Sequence, residues 1–122
     1  MNEYIQQLDS SKFDPEKFTA YSVFNRTNGS TNADIRFARV PPHGSAPDLH
    51  THGTDKFFFV LSGLMNIEID GQTAVAGPNS LISIPAGVPH RNWNEGDEAE
   101  VHMVIFVPHP QEGVPNSTPV AR

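Results

Sequence analysis

An all-β domain, either a sandwich or a barrel, is the fold class this sequence predicts. Seven short runs rich in β-branched and aromatic residues follow one another: TAYSVF, DIRFARV, KFFFVL, MNIEI, TAVA, SLISI and EVHMVIFV. Turn chemistry separates them, and the 122 residues include 11 prolines and 9 glycines, a usage that suits a turn-rich β domain better than a helical bundle.

Taken in order, Asn2–Leu8 places Tyr4, Ile5 and Leu8 at helical spacing, and Asp14-Pro15-Glu16 offers an N-cap, a proline at the first helical position and an acid in the first turn. One or two short helical turns are expected there. The strand separators are Asn28-Gly29 with the Ser-Thr-Asn that follows, Pro41-Pro42-His43-Gly44, Ser62-Gly63, Asp70-Gly71, Gly77-Pro78-Asn79 and Asn94-Glu95-Gly96-Asp97. Asp70-Gly71, flanked by IEI and TAV, predicts a type I′ hairpin that pairs the strand around Ile67 with the strand around Val75. The tail after Pro108 is polar and proline-rich, so loose packing or disorder is expected. The resulting organisation is an N-terminal arm (1–19), one barrel (20–108) and a C-terminal tail (109–122), with no internal repeat.

Composition narrows the function. A net charge of -6 without any run of Lys or Arg argues against nucleic acid as a partner. With no cysteine, any metal must be held by imidazole or oxygen. The N-terminus lacks a basic start followed by an apolar core, and no segment approaches the ~18 apolar residues of a membrane span. A soluble cytoplasmic protein is therefore the expectation.

The chemistry concentrates in HTHGTDKFFFVLSG, from His50 to Gly63. Side chains two apart on a strand share a face, so His50 and His52 point the same way. His90 follows Ile84-Pro85-Ala86-Gly87-Val88-Pro89, where a tight turn delivers it to the start of another strand. A His-x-His pair plus one distant histidine makes a candidate site for a divalent transition metal, with iron, zinc or nickel suiting imidazole best. The alternative is that the three are polar pocket residues.

These residues resemble the cupins. The first cupin pattern runs glycine, five residues, His-x-His, three or four residues, glutamate, six residues, glycine. The chain has Gly44, SAPDL, His50-Thr51-His52, GTD, Lys56, FFFVLS and Gly63. The second runs glycine, five residues, Pro-x-Gly, two residues, His, three residues, Asn; here it is Asn79, SLISI, Pro85-Ala86-Gly87, Val88-Pro89, His90, RNW and Asn94. The resemblance implies a double-stranded β-helix, or jelly-roll barrel, with His50, His52 and His90 as metal ligands inside it. It also implies a homodimer formed by sheet packing or arm exchange.

Lys56 stands where the family has glutamate. Alternation points it into the barrel and turns Asp55 outward, while Asp48 shares the histidine face if the strand is already regular there. Burial beside a cation favours a neutral lysine. Lys56 is thus the candidate catalytic residue, as a base, as an ammonium held by Asp48 or an anionic substrate, or as a replacement for the metal.

Other polar residues have blander readings. Arg36 and Arg39 fall on opposite faces, and the apolar company of Arg39 (Ile35, Phe37) marks it as the inward one, able to anchor a substrate carboxylate. His102 is read as a satisfied core or surface histidine, His43 and His109 as solvent-facing, and Trp93 as a subunit contact.

Similarity to three-histidine cupin iron centres implies a dioxygenase-like, metal-dependent oxidoreductase acting on a small anionic or enolisable molecule. The alternatives are a metal Lewis-acid isomerase, cyclase or lyase that uses Lys56 for proton transfer, and a non-catalytic cupin that binds a small ligand.

Overall fold

The protein, seen here as a computed structural model, is described over residues 3–29 and 32–121. Among these residues ten strands form: β1 (Thr19–Phe24), β2 (Asp34–Val40), β3 (His50–His52), β4 (Asp55–Ser62), β5 (Met65–Ile69), β6 (Gln72–Ala76), β7 (Leu81–Ile84), β8 (His90–Trp93), β9 (Glu100–Val107) and β10 (Ser117–Pro119). They make two five-stranded sheets, ordered β1-β2-β9-β4-β7 and β10-β3-β8-β5-β6, with every pairing antiparallel. This is the jelly-roll barrel of the double-stranded β-helix class.

Alternation along the strands builds the interior. β4 turns Lys56, Phe58 and Val60 inward, and β9 turns Glu100, His102, Val104 and Phe106 inward. Phe58, Val60, Met65, Ile67 and Ile84 fill the apolar part of the barrel. Emptying the Phe58 site would cost about 3–5 kcal/mol, the usual range for a core phenylalanine cut to alanine.

The turns obey the predicted chemistry. Asp70 and Gly71 take φ of 51° and 80°, the two positive values a type I′ turn needs, and the hairpin pairs Ile67 with Ala74. Gly63 has φ +75° and lies so close to β9 that a Cβ would sit 2.3 Å from the Ala99 carbonyl oxygen. No other residue fits there. Asn79, in the place of a family glycine, has φ 70°.

The N-terminal arm differs from expectation. Among the described residues a single 3-10 turn forms at Ser10–Lys12, capped by Asp9, and none forms at the two predicted positions. Asp14 spends its carboxylate on the Glu16 N–H (2.8 Å) in a local turn instead of capping a helix. Asn2, where the first predicted stretch begins, and Ser30 and Thr31 of one predicted turn lie outside the described residues. The arm still packs: Phe13 is buried and stacks on Tyr21 (5.5 Å), which stacks on Phe37 (5.9 Å), covering the outer face of β1 and β2.

The tail, expected to be loose, instead returns to the barrel. Ser117, Thr118 and Pro119 pair with His52, Thr51 and His50, so β10 satisfies the edge of β3. Pro119 is tolerated because β10 is itself an edge strand.

Candidate metal centre

β3 and β8 bring the three predicted histidines together. His50 pairs directly across from His90, and the ring centroids lie 4.7 Å (His50–His52), 4.4 Å (His50–His90) and 5.2 Å (His52–His90) apart. One donor nitrogen from each lies within 4.8 Å of the others.

The rings are held by their other nitrogens. Nδ1 of His50 meets the Asp48 carbonyl oxygen at 2.5 Å, Nδ1 of His52 that of Asn116 at 3.0 Å, and Nδ1 of His90 that of Val88 at 3.0 Å. A carbonyl only accepts, so each Nδ1 carries the proton and each Nε2 keeps its lone pair. This is the orientation that metal-ligating histidines need.

Burial keeps the rings neutral. His52 is lowered to about 3 and His90 to about 4, each by desolvation first and by the Lys56 charge second. His50 is lowered too, chiefly by desolvation.

Lys56 points inward as alternation predicts and is 7% exposed. Its Nζ lies 3.2 Å from Nε2 of both His52 and His90, and 4.7 Å from the Phe58 ring centre. Burial, then the nearby Arg36 charge, lowers its pKa to about 7. Two ligands held at the usual ~2.0–2.1 Å around one tetrahedral ion are about 3.3 Å apart. The amine therefore stands at the distance of a fourth ligand from two of the imidazoles. The donor set fits a divalent transition metal once the amine is neutral, whereas an ammonium in the same place donates to both lone pairs and competes with the ion.

The cluster opens on a cavity of about 190 Å³ walled by Phe18, Phe58, Val104 and Phe106 and reached by Arg36, Asn92 and His102. Here several expectations need correction. Arg36 lines the cavity, whereas Arg39 faces outward and donates to the Asp14 and Pro15 carbonyls at 3.3 and 3.2 Å. The apolar company of Arg39 belongs to the outer face because the arm covers that face.

Asp48 is exposed and serves His50 through its backbone carbonyl, since β3 begins only at His50. His109 is half-buried, with Nε2 shut away from solvent. His43 is exposed beside Asp97, as expected.

Asn94, the last residue of the second pattern, is a turn plug. It donates to the carbonyls of Val40, Pro41 and Glu98 and accepts from Gly96 N–H.

The sequence reading passed over Asn92, which faces inward with His90, and Glu100, which bonds His102 inside the barrel. Both were open to the same count of two that placed Lys56.

A family model described as "Cupin domain" matches residues 36–107. An uncharacterized protein of Streptomyces coelicolor is 29% identical over 65 residues, 53% of this chain and 61% of that protein, so the match spans about three fifths of the curated relative. Among solved structures, a protein of Thermus thermophilus superposes with a TM-score of 0.75 at 25% identity, over 88% of this chain and 99% of that one. The polyketide cyclase RemF of Streptomyces resistomycificus superposes with a TM-score of 0.73 at 23% identity, over 92% and 84% of the two chains. At that identity the likeness speaks for the fold alone.

Proposed function

The chain belongs to the cupin domain family, and on that premise we propose that it is a metal-dependent enzyme for a small anionic or enolisable molecule. His50, His52 and His90 are the ligands and Lys56 is the proton carrier beside them. The observation that carries this is the commitment of all three Nδ1–H groups to backbone carbonyls, which leaves three neutral Nε2 donors in a cluster whose ligand atoms lie within 4.8 Å of one another. When bound, a divalent ion supplies Lewis acidity there and, if it is iron, a means of using dioxygen.

The chain's own residues do the rest. Arg36 brings a guanidinium to the cavity wall that suits an anionic oxygen. Phe58 and Phe106 exclude water around it. Burial lowers the Lys56 pKa to about 7 without a cation, and a cation on the imidazoles would lower it further, so Nζ serves as a neutral base at neutral pH.

Proton-transfer chemistry, as in an isomerase, cyclase or lyase, is the reading Lys56 favours, because an amine beside the ligands takes up room that dioxygen would need. The three-imidazole donor set favours the second reading, dioxygenase-like cleavage. Elemental analysis of untagged protein, with and without His50→Ala, tests the metal. Turnover of candidate diketones or thiols under nitrogen then separates the two chemistries: activity that stops without oxygen removes the first, and activity that survives removes the second.

In this reading the protein works in the cytoplasm as a homodimer through exposed Leu64, Val75 and Leu81 near the β6 and β7 edges. A monomer mass in light scattering refutes the dimer. Among the described residues no helix is long and apolar enough to cross a membrane.

A further inference from the structure

The same cavity is lined on β9 by His102, which is paired with Glu100 inside the barrel. Glu100 and His102 are 0% and 1% exposed, and His102 Nδ1 lies 2.8 Å from both carboxylate oxygens of Glu100. A carboxylate accepts, so Nδ1 carries the proton and the lone pair of a neutral ring falls on Nε2. The ring is fixed edge-on against Phe58 at 4.7 Å.

Two further polar groups that line this cavity have unused donors. Asn92, 5% exposed, has an Nδ2 with no hydrogen-bond partner, and so does Nε of Arg36, whose Nη2 is already given to Asp34 at 2.8 Å. Buried donors without acceptors are costly, and a bound ligand that brings oxygens would satisfy both.

We propose that Glu100, His102, Asn92 and Arg36 form a proton-transferring centre separate from the three imidazoles, built for a small 2-oxo acid. This rests on the reading of the cavity as a site for small anionic, enolisable molecules and does not rest on the metal. A cavity of about 190 Å³ has room for a molecule of pyruvate's size.

The carboxylate and ketone oxygens meet Arg36 and Asn92, and the carbon next to the ketone faces His102. His102 Nε2 takes a proton from that carbon. The C–H electron pair becomes the double bond of an enolate, and the carbonyl π pair moves onto oxygen, where the donors stand. Return of the proton from the imidazolium to carbon or to oxygen completes the step without any co-reactant. His102 is the catalytic base, and Glu100 is a positioning residue that fixes its tautomer.

Pyruvate is the probe. Protein stripped with EDTA is incubated with it in deuterium oxide, and loss of the methyl proton signal is followed by NMR. Exchange above the buffer rate is expected. His102→Gln should lower it at least about 100-fold, the low end of what a general base contributes. Arg39→Ala, on the outer face, should keep the full rate.

Glu100→Gln should lower the exchange rate at saturating pyruvate while leaving the half-saturating concentration unchanged, a split that a merely structural role would not produce. If His102→Gln fails to fold, the Glu100→Gln result decides. The proposal is overturned by no exchange above buffer, by undiminished exchange in His102→Gln, or by borohydride capture of pyruvate on Lys56, which would assign the transfer to an imine. Because metal is absent throughout, failure here leaves the metal centre standing, and failure of metal binding leaves this centre standing.

Discussion

His90 and His102 are equally buried, at 0% and 1% exposure, but their second ring nitrogens are held differently. The Val88 carbonyl holds His90 at 3.0 Å, and the Glu100 carboxylate holds His102 at 2.8 Å. A carbonyl orients the ring and adds no net charge, which suits a neutral ligand; a carboxylate stabilises a ring that has taken up a proton, which suits acid–base work. One barrel thus presents the same side chain in two hydrogen-bonding settings, set by the partner two residues upstream.

The largest test of that contrast is Glu100→Ala. It leaves the buried Nδ1–H of His102 without its acceptor beside a cavity and should cost about 2–4 kcal/mol of stability in urea unfolding, while Glu100→Leu with His102→Leu should recover most of it. A loss below about 1 kcal/mol would mean that the pair is not what holds β9 inward.

Next comes pH, measured on metal-free protein. Lys56 falls from 10.5 to about 7 through burial, so between those values the unfolded chain binds more protons and stability rises with pH, on the order of a few kcal/mol. His52 at about 3 and His90 at about 4 act likewise below 6.5: stability present above that value is lost as pH falls toward 4. Lys56→Met should flatten the alkaline window and weaken the acid one, because the Lys56 charge is the second cause of both histidine shifts.

Third, His50→Ala should weaken metal affinity at least ~100-fold, whereas His102→Gln should leave the metal content measured by mass spectrometry unchanged. The smallest effect is expected from truncation after Val114, which removes β10 and the Asn116 carbonyl that holds His52. Affinity should fall about 10-fold to 100-fold, with the His102 tautomer undisturbed.

Much of this was legible in the chain. The seven runs became strands, Asp70-Gly71 became the hairpin, and counting in twos from His50 put Lys56 inside. The same counting would have put Glu100 beside His102 and Asn92 beside His90, but it was not carried to those strands. It could not tell which side of β9 or of β2 faced the cavity, and that is how Arg39 was preferred over Arg36. β10 was missed because STP carries no β signal of its own; it is a strand only because β3 has an edge to satisfy.

Local periodicity by itself determined which side chains share a face, since a strand alternates whatever surrounds it. Which face turns inward was decided only when the sheets closed and the N-terminal arm covered the outside of β1 and β2. That choice depends on long-range pairing and on where apolar area is hidden from water, and it brought three imidazoles, an amine, an amide and a guanidinium to one cavity.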